Sequence, residues 1–328
     1  MKPTETQKIP YVCPPTELLS DETKSGVSLR AMLESEEMRQ EKSPLVLALG
    51  RNDAGALVTL DLAAKGHLLI AGSTDVQKRM CLYSVVQSIL FRASPQDVKL
   101  VLIDSMGSVF SAYRGIAHLL VPVIDYGDTY ETRNVLQWVK EEMNCRYESF
   151  INKHVLNIEE YNAALGENEE PMSRIVIVMA ELSDLGLAGV ETAKETIAYL
   201  AMKARAAGIH LVLATMRPRE CLRIPDAMAN MNRIALMVNS EAEGGHILGE
   251  TSAEKLNGGC GDMLVRIMSK DLFELEPLKH VKGYFASDDA ADGAAKSVGD
   301  WLREHYVPDY SKEEVARIDE LFKQMWRS

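Results

Sequence analysis

The stretch HLLIAGSTDVQKR (67–79) decides the fold, because an apolar run leads through a short polar turn into a helical pattern. Residues 75–92 continue that pattern with apolar side chains at helical spacing. A strand that enters a helix through a glycine-containing turn is the setting of a phosphate-binding loop. The sequence therefore predicts an α/β domain with a candidate anion site after Gly72.

Further apolar runs on both sides of this stretch indicate a sheet. They are VKLVLID (98–104), RIVIVMA (174–180), IHLVLAT (209–215) and RIALMV (233–238). Continuous Val, Ile and Leu runs are typical of strands that helices cover on both faces. Helical segments at 129–150 and 191–207 separate the runs, which favours a mostly parallel sheet between helical layers. Upstream, PLVLALG and ALVTLDL flank a turn at 52–55 and predict a hairpin.

The phosphate-loop pattern G-x-x-x-x-G-K-S/T is half present. Gly72 and Lys78 match it, whereas Gln77 and Arg79 replace the second glycine and the hydroxyl. That glycine lets backbone N–H groups turn toward phosphates, and the hydroxyl ligates magnesium. A helix N-terminus beside basic side chains still attracts anions. The candidate nucleotide-binding residues are therefore Gly72, Ser73, Thr74, Lys78 and Arg79.

Composition excludes several classes of protein. The 328 residues carry a formal net charge of −12, which disfavours a whole-surface affinity for nucleic acid or anionic membrane but permits a local basic lining. Five widely spaced cysteines without a CxxC pair predict neither a zinc site nor a disulfide framework. The sequence shows no secretory signal and no bilayer-spanning run. We therefore expect a cytoplasmic protein with reduced thiols and no metal site.

Longer stretches resemble the motor domain of the FtsK/SpoIIIE family of DNA translocases. Residues 28–74 resemble its beginning, and 98–124 its next strand with the segment that follows. EEMNCRYESF (141–150) resembles the family's EMERRY helix, KARAAGIHLVLATMRP (203–218) its KARAAGIHLVLATQRP, and GDMLV (261–265) its GDMLY. The resemblance runs from about residue 27 to about 315. It implies a RecA-like P-loop NTPase motor domain.

The departures from the family pattern cluster at the nucleotide site. The family's phosphate loop reads like GTTGSGKS, and its Walker B strand ends VDE where this chain has MAE (179–181). The magnesium-shell aspartate is thus Ala180, while Glu181 stands where the family's water-polarising glutamate lies. The family's TQRP glutamine is Met216, and Arg205 matches the place of a trans-acting arginine. The candidate catalytic residues by resemblance are Glu181 and Arg205.

These departures predict a pseudo-ATPase: weak ATP binding, doubtful magnesium binding, impaired or lost hydrolysis, and a role as a binding or scaffold subunit. Two alternatives stay open, an active ATP-dependent double-stranded DNA translocase in chromosome segregation and a degenerate module of a type VII secretion ATPase. The resemblance implies a homo-hexamer, or a hetero-assembly with an active motor, that surrounds duplex DNA. Candidate DNA-binding residues are Arg217, Arg219 and Arg223, with Arg233 beside them.

The chain divides into an N-terminal arm (1–43), the motor domain (44–287) and a C-terminal helical tail (288–328). One short helix within 27–40, capped by Ser28, is predicted in the arm. By the resemblance, we expect the given sequence to lack the linker-side domain and the winged-helix module that flank the family's motor, and to carry no membrane anchor before it. We expect the 72–79 loop to be reshaped or filled by its own side chains, with Arg79 paired to Glu181.

Overall fold

The computed structural model describes residues 11–104, 107–125, 129–167, 169–183, 191–219, 224–250, 252–258, 261–269 and 276–306. Within these ranges the strands form one ten-stranded sheet. They are β1 Val46–Asn52, β2 Leu57–Asp61, β3 His67–Ala71, β4 Val98–Asp104, β5 Ile124–Asp125, β6 Arg174–Met179, β7 Ile209–Thr215, β8 Met231–Ala235, β9 Asp262–Arg266 and β10 Lys279–Lys282. Their order across the sheet is β2-β1-β10-β9-β8-β3-β7-β6-β4-β5.

The half of the sheet from β8 to β5 is parallel. Strand β3 lies second in this half and near the middle of the whole sheet, with Leu68 beside Val212 of β7 and Asn232 of β8. Strands β9, β10, β1 and β2 add antiparallel pairings beyond β8. The five apolar runs therefore lie in one parallel region, and β1 and β2 form the expected hairpin. The predicted mostly parallel α/β architecture is confirmed.

Ten α-helices lie within the described ranges. They are α1 Leu29–Leu33, α2 Glu36–Gln40, α3 Leu62–Lys65, α4 Asp75–Leu90, α5 Thr129–Lys153, α6 Ile158–Ala163, α7 Glu191–Lys203, α8 Pro225–Met228, α9 Glu241–Leu248 and α10 Asp288–His305. The single helix predicted within 27–40 is two helices. Ser28 caps α1 as expected, but the Ser35 hydroxyl accepts the Met38 N–H and starts a second helix.

Two cores lie on opposite faces of the sheet. In β3, Leu68 and Ile70 belong to the core under α1, α2, α4 and α10, while Leu69 and Ala71 belong to the core under α5, α7 and α9. Successive side chains of a strand point to opposite faces, so a strand covered on both sides is apolar at every position. The result is a three-layer arrangement with β3 buried at its centre.

The site-bearing strand ends meet at the carboxyl edge of the parallel region. β3 ends at Ala71, β6 at Met179 and β7 at Thr215, and the three strands are neighbours. Residues 11–40 and α10 pack on the same layer as α4. The domain limits at 43/44 and 287/288 stay predictions. No helix among the described residues has the length and apolar character to cross a membrane.

Candidate functional site

The loop after β3 is short. Only Gly72, Ser73 and Thr74 separate the end of β3 from the first residue of α4, Asp75. Gln77 therefore lies inside the helix, and among the described non-glycine residues only His154 has a φ in the left-handed region. Replacing the glycine of the phosphate-loop pattern by Gln77 therefore creates no left-handed strain, because the helix begins before that position.

The first residues of this loop bond to neighbouring strands and segments. The Gly72 N–H donates to the Thr215 carbonyl (3.2 Å), and the Ser73 N–H donates to the Met237 carbonyl (2.8 Å). A Cβ on Gly72 would lie 2.6 Å from the Leu236 Cβ, so only glycine fits this approach. Two amides at the start of the loop therefore serve protein carbonyls, where a phosphate loop aims its amides at a ligand.

The Gln77 side chain fills the turn. Its Oε1 accepts the Thr74 hydroxyl (2.8 Å) and the Met237 N–H (3.3 Å). Its Nε2 donates to the Asp262 carbonyl (3.4 Å), and the residue is buried. The expectation that the loop is filled by its own side chains agrees with this network, although the residues that fill it differ from those expected.

A buried ion pair joins the loop helix to the end of β6. Lys78 Nζ lies 3.2 Å from Glu181 Oε2 and 3.4 Å from Asp75 Oδ1. The Lys78 and Glu181 side chains are only 5% and 7% exposed. The predicted pair between Arg79 and Glu181 is therefore wrong. Lys78 takes that place because it points from α4 toward the sheet edge.

Glu181 accepts hydrogen bonds on both oxygens. Oε1 accepts the Thr215 hydroxyl (2.6 Å) and the Ser183 N–H (3.1 Å), and Oε2 accepts the Met216 N–H (2.8 Å) besides Lys78. Burial raises the pKa of Glu181, but the Thr215 hydrogen bond, the Lys78 charge and the two N–H donors outweigh it. The net pKa is below the usual value. A carboxylate offers about four acceptor positions, so four donors saturate it.

Positions 79 and 180, where the family resemblance places the magnesium ligands, carry no side-chain oxygen. Arg79 turns away from the loop and donates to Asp292 on α10 (3.0 and 3.2 Å to its two oxygens). Ala180 is buried, and its N–H donates to the Ile103 carbonyl within the sheet. No group of three or more His, Cys, Asp or Glu that could hold a metal lies within the described ranges.

Asp104 ends β4 at the carboxyl edge of the sheet, where ligands of open α/β sheets often bind. It is buried, and its Oδ2 accepts the N–H groups of Val109 (2.6 Å) and Phe110 (3.0 Å). The carboxylate therefore caps the following turn.

Arg205 lies at the opposite edge of the sheet, between α7 and the start of β7. Its guanidinium donates to the carbonyls of Ala63 (3.3 Å) and Ala64 at the end of α3. Within one chain it contacts neither Lys78 nor Glu181. Its proposed trans-acting role stays a prediction.

The arginines of the predicted basic lining do not all lie on one exposed surface. Arg217 and Arg219 are exposed in the turn after β7, beside the candidate site. Arg233 instead donates to the Met228 carbonyl (2.9 Å) inside the fold. Arg223 lies outside the described residues.

Sequence reasoning missed two participants. Thr215 ends the apolar run of β7, and a lone hydroxyl at a strand's carboxyl end was the available signal. Asp292 gave no signal, because nothing local relates α10 to Arg79, 213 residues earlier in the chain.

Comparison with known families identifies the chain. A model described as "FtsK/SpoIIIE family" matches residues 28–220, more than half of the chain, and the chain belongs to this family. The DNA translocase FtsK of Caldanaerobacter subterraneus subsp. tengcongensis is 39% identical over 88% of this chain and 39% of that protein. The DNA translocase SftA of Bacillus subtilis is 35% identical over 92% and 31%. The chain thus spans less than two fifths of the length of these curated relatives.

Solved structures of similar fold include a type VII secretion ATPase. The cytoplasmic domain of the type VII secretion ATPase EccC of Thermomonospora curvata superposes with a TM-score of 0.70 at 22% identity, over 92% of this chain and 36% of that one. EssC (ATPases 2 and 3) of Geobacillus thermodenitrificans gives 0.68 at 18% identity, over 81% and 50%. At these identities the likeness shows the fold alone, that of P-loop ATPase motor domains.

Proposed function

We propose that this chain is an FtsK/SpoIIIE-type motor domain that does not hydrolyse ATP and works as a binding or scaffold subunit. The observation that carries the proposal is the buried Lys78–Glu181 pair (3.2 Å). In a working site, the lysine reaches the nucleotide's phosphates and the glutamate polarises the attacking water. Here each group neutralises the other, and the remaining acceptor positions of Glu181 are taken by Thr215, Ser183 and Met216.

The residues at the loop do not fit a magnesium nucleotide. Arg79 and Ala180 offer no oxygen where magnesium would be ligated, and Gln77 fills the turn. Asp75 adds a carboxylate beside the Lys78 ammonium, where phosphate charge would lie. ATP binding is therefore proposed to be weak and independent of magnesium.

Duplex DNA is the proposed partner, since the relatives are named DNA translocases. Arg217 and Arg219 offer exposed positive charge on a chain whose net charge is −12. Such a chain binds DNA through a local lining, as the inner surface of a ring would provide. The chain is proposed to occupy a position in a ring, alone or beside an active motor. A type VII secretion module rests on fold likeness alone.

Phosphate release in the presence of duplex DNA tests the loss of hydrolysis. The protein is compared with its Glu181→Gln variant, which removes the proposed water-polarising carboxylate. We expect both to release phosphate at the same background rate, with or without magnesium. Magnesium- and DNA-dependent release by the protein, abolished in Glu181→Gln, would establish an active translocase instead.

The DNA contact is tested with a charge-matched pair of variants. Arg217→Ala/Arg219→Ala should weaken duplex binding and lower the slope of log K against log salt by about 2, because two phosphate contacts are lost. The control is Arg39→Ala/Lys42→Ala, which removes two exposed positive charges near α2 on the other layer. Equal weakening by both double variants would show that only net charge matters.

A further inference from the structure

Helix α10 lies along α4, the helix that begins at the candidate site. The buried face of α10 consists of small and apolar residues. Ala291, Ala295, Val298 and Leu302 enter the same core as α4, and Ala294 and Gly299 are also buried. Small side chains let two helix backbones approach closely. Close packing alone does not explain the polar contacts at the start of α10.

Three polar groups join the first turns of the two helices. Arg79 Nη2 lies 3.0 and 3.2 Å from the two Asp292 oxygens and 3.8 Å from Asp288. Tyr83, one turn after Arg79 on α4, donates its hydroxyl to Asp292 Oδ1 at 2.5 Å, and this is the oxygen that lies 3.0 Å from Arg79 Nη2. The Arg79 side chain is only 14% exposed. Asp292 is 51% exposed, so the cluster lies at the protein surface with its arginine covered. Because Arg79 and Tyr83 share one carboxylate, the contact is charge-assisted and stronger than a single neutral hydrogen bond.

The rest of α10 is fixed at its far end. A Cβ on Gly299 would lie 2.1 Å from the Ala112 carbonyl oxygen, so the helix touches that backbone directly. Arg303 donates to the carbonyls of Ala112 (3.0 Å) and Arg114 (2.7 Å). The Arg79 cluster is therefore the polar attachment of the end of α10 that lies near the site.

The same turn of α4 is attached on a second side. Lys78 and Arg79 are consecutive, so their side chains leave the helix about 100° apart. Lys78 reaches Glu181 at the sheet edge, and Arg79 reaches Asp292 on α10. A shift of this turn toward either partner must strain the other contact.

We propose that Arg79, Tyr83 and Asp292 form a clasp that couples α10 to the Lys78–Glu181 site, so that α10 and the first turns of α4 move as one body. The arginine at position 79 has a positioning role in this coupling. The proposal goes beyond the loss of hydrolysis and does not depend on it, because the clasp requires no nucleotide.

Hydrogen exchange of the nucleotide-free full chain, followed by mass spectrometry, tests the clasp. Arg79→Ser and Asp292→Asn should each speed exchange in 288–298 and in 75–80 at least about tenfold, since local opening becomes easier. The double variant should exchange no faster than the faster single variant, because both substitutions remove the same interaction.

Lys78→Met tests the coupling to the site and should also speed exchange in 288–298. The control is Lys296→Ser, which removes an exposed α10 side chain that forms an ion pair with Asp300 and should change exchange less than twofold.

Two further variants keep the outcome decisive. The swapped pair Arg79→Asp/Asp292→Arg should restore slow exchange, which loss of folding could not mimic. Tyr83→Phe removes one hydroxyl and should give a smaller increase in the same peptides.

The clasp would be overturned if exchange in 288–298 stayed within twofold in Arg79→Ser. It would also be overturned if the effects of the two single variants multiplied in the double variant. Unchanged α10 exchange in Lys78→Met would overturn its coupling to the site. ATP hydrolysis is not a readout, so the clasp and the proposed function fail or stand separately.

Discussion

The two edges of the parallel sheet bury polar side chains by opposite means. At the carboxyl edge, Lys78 and Glu181 are buried as a pair, and Glu181 accepts a hydrogen bond at each acceptor position. At the amino edge, His67 begins β3 and His210 is the second residue of β7, with their ring centroids 6.2 Å apart. His67 Nδ1 accepts the Leu211 N–H, but within the described residues neither His67 Nε2 nor either His210 ring nitrogen has a short hydrogen bond.

The two edges differ in whether a buried side chain keeps its charge. Burial and, to a smaller extent, the nearby Arg205 charge lower the pKa of His67 to about 4. Burial also lowers the pKa of His210 well below its usual value, with His67 and Arg174 adding to the effect. Both imidazoles are therefore neutral at pH 7. A buried charge persists at the carboxyl edge because a partner compensates it, and the amino edge supplies none.

Removing one member of the buried pair should have the largest effect. Lys78→Met leaves Glu181 buried without its cation and should lower the free energy of unfolding by about 3–5 kcal/mol, measured by urea denaturation. Lys78→Met/Glu181→Gln should recover much of that loss, since no buried charge remains. The control Lys296→Met, at an exposed pair, should change stability by less than about 0.5 kcal/mol. Equal small losses in both single variants would mean that the carboxyl edge does not depend on pairing.

Acid should weaken the amino edge first. Unfolded histidine binds a proton below about pH 6.5, whereas folded His67 does so only near pH 4, so the free energy of unfolding falls as pH drops between these values. For His67 alone the loss approaches about 3 kcal/mol. The lowered Glu181 pKa gives stability that is lost only below about pH 4.5. Urea midpoints measured from pH 7 to 4.5 should therefore fall, and less steeply in His210→Leu. A flat profile between pH 6.5 and 5 would contradict neutral burial.

A smaller effect should come from the loop glycine. Gly72→Ala places a Cβ against Leu236 and should cost about 1–3 kcal/mol, because the tightly packed loop must shift. Gly245→Ala, in α9 with nothing within 4 Å of the added carbon, should instead stabilise by about 0.5–1 kcal/mol. Thermal or urea unfolding of the two variants checks the contrast. Equal shifts would mean that the carboxyl-edge loop has room to move.

The parallel sheet was predictable because its strands are apolar on both faces, as β3 and β7 illustrate. The sequence did not predict the separation of α1 from α2 at Ser35, because the helical periodicity continues through this capping residue. At the site, the loop pattern identified Lys78 and the family resemblance identified Glu181, but Arg79 was wrongly predicted as the cation that pairs with Glu181. The side chains of two consecutive residues on a helix point in different directions. The residue at which α4 begins therefore sets whether Lys78 or Arg79 points toward the sheet. The partner of Arg79 required knowledge of where α10 packs.

The most direct test of the account is a titration with labelled ATP, with and without magnesium, of the protein and of Gln77→Gly/Arg79→Ser/Ala180→Asp. The triple variant restores the turn glycine, the hydroxyl and the carboxylate together. We expect the protein to show no magnesium-dependent gain in affinity, the triple variant to gain at least about tenfold, and single reversions to gain little because these groups act as a unit. Tight magnesium-dependent binding by the unchanged protein, or a triple variant that binds no better, would contradict the account.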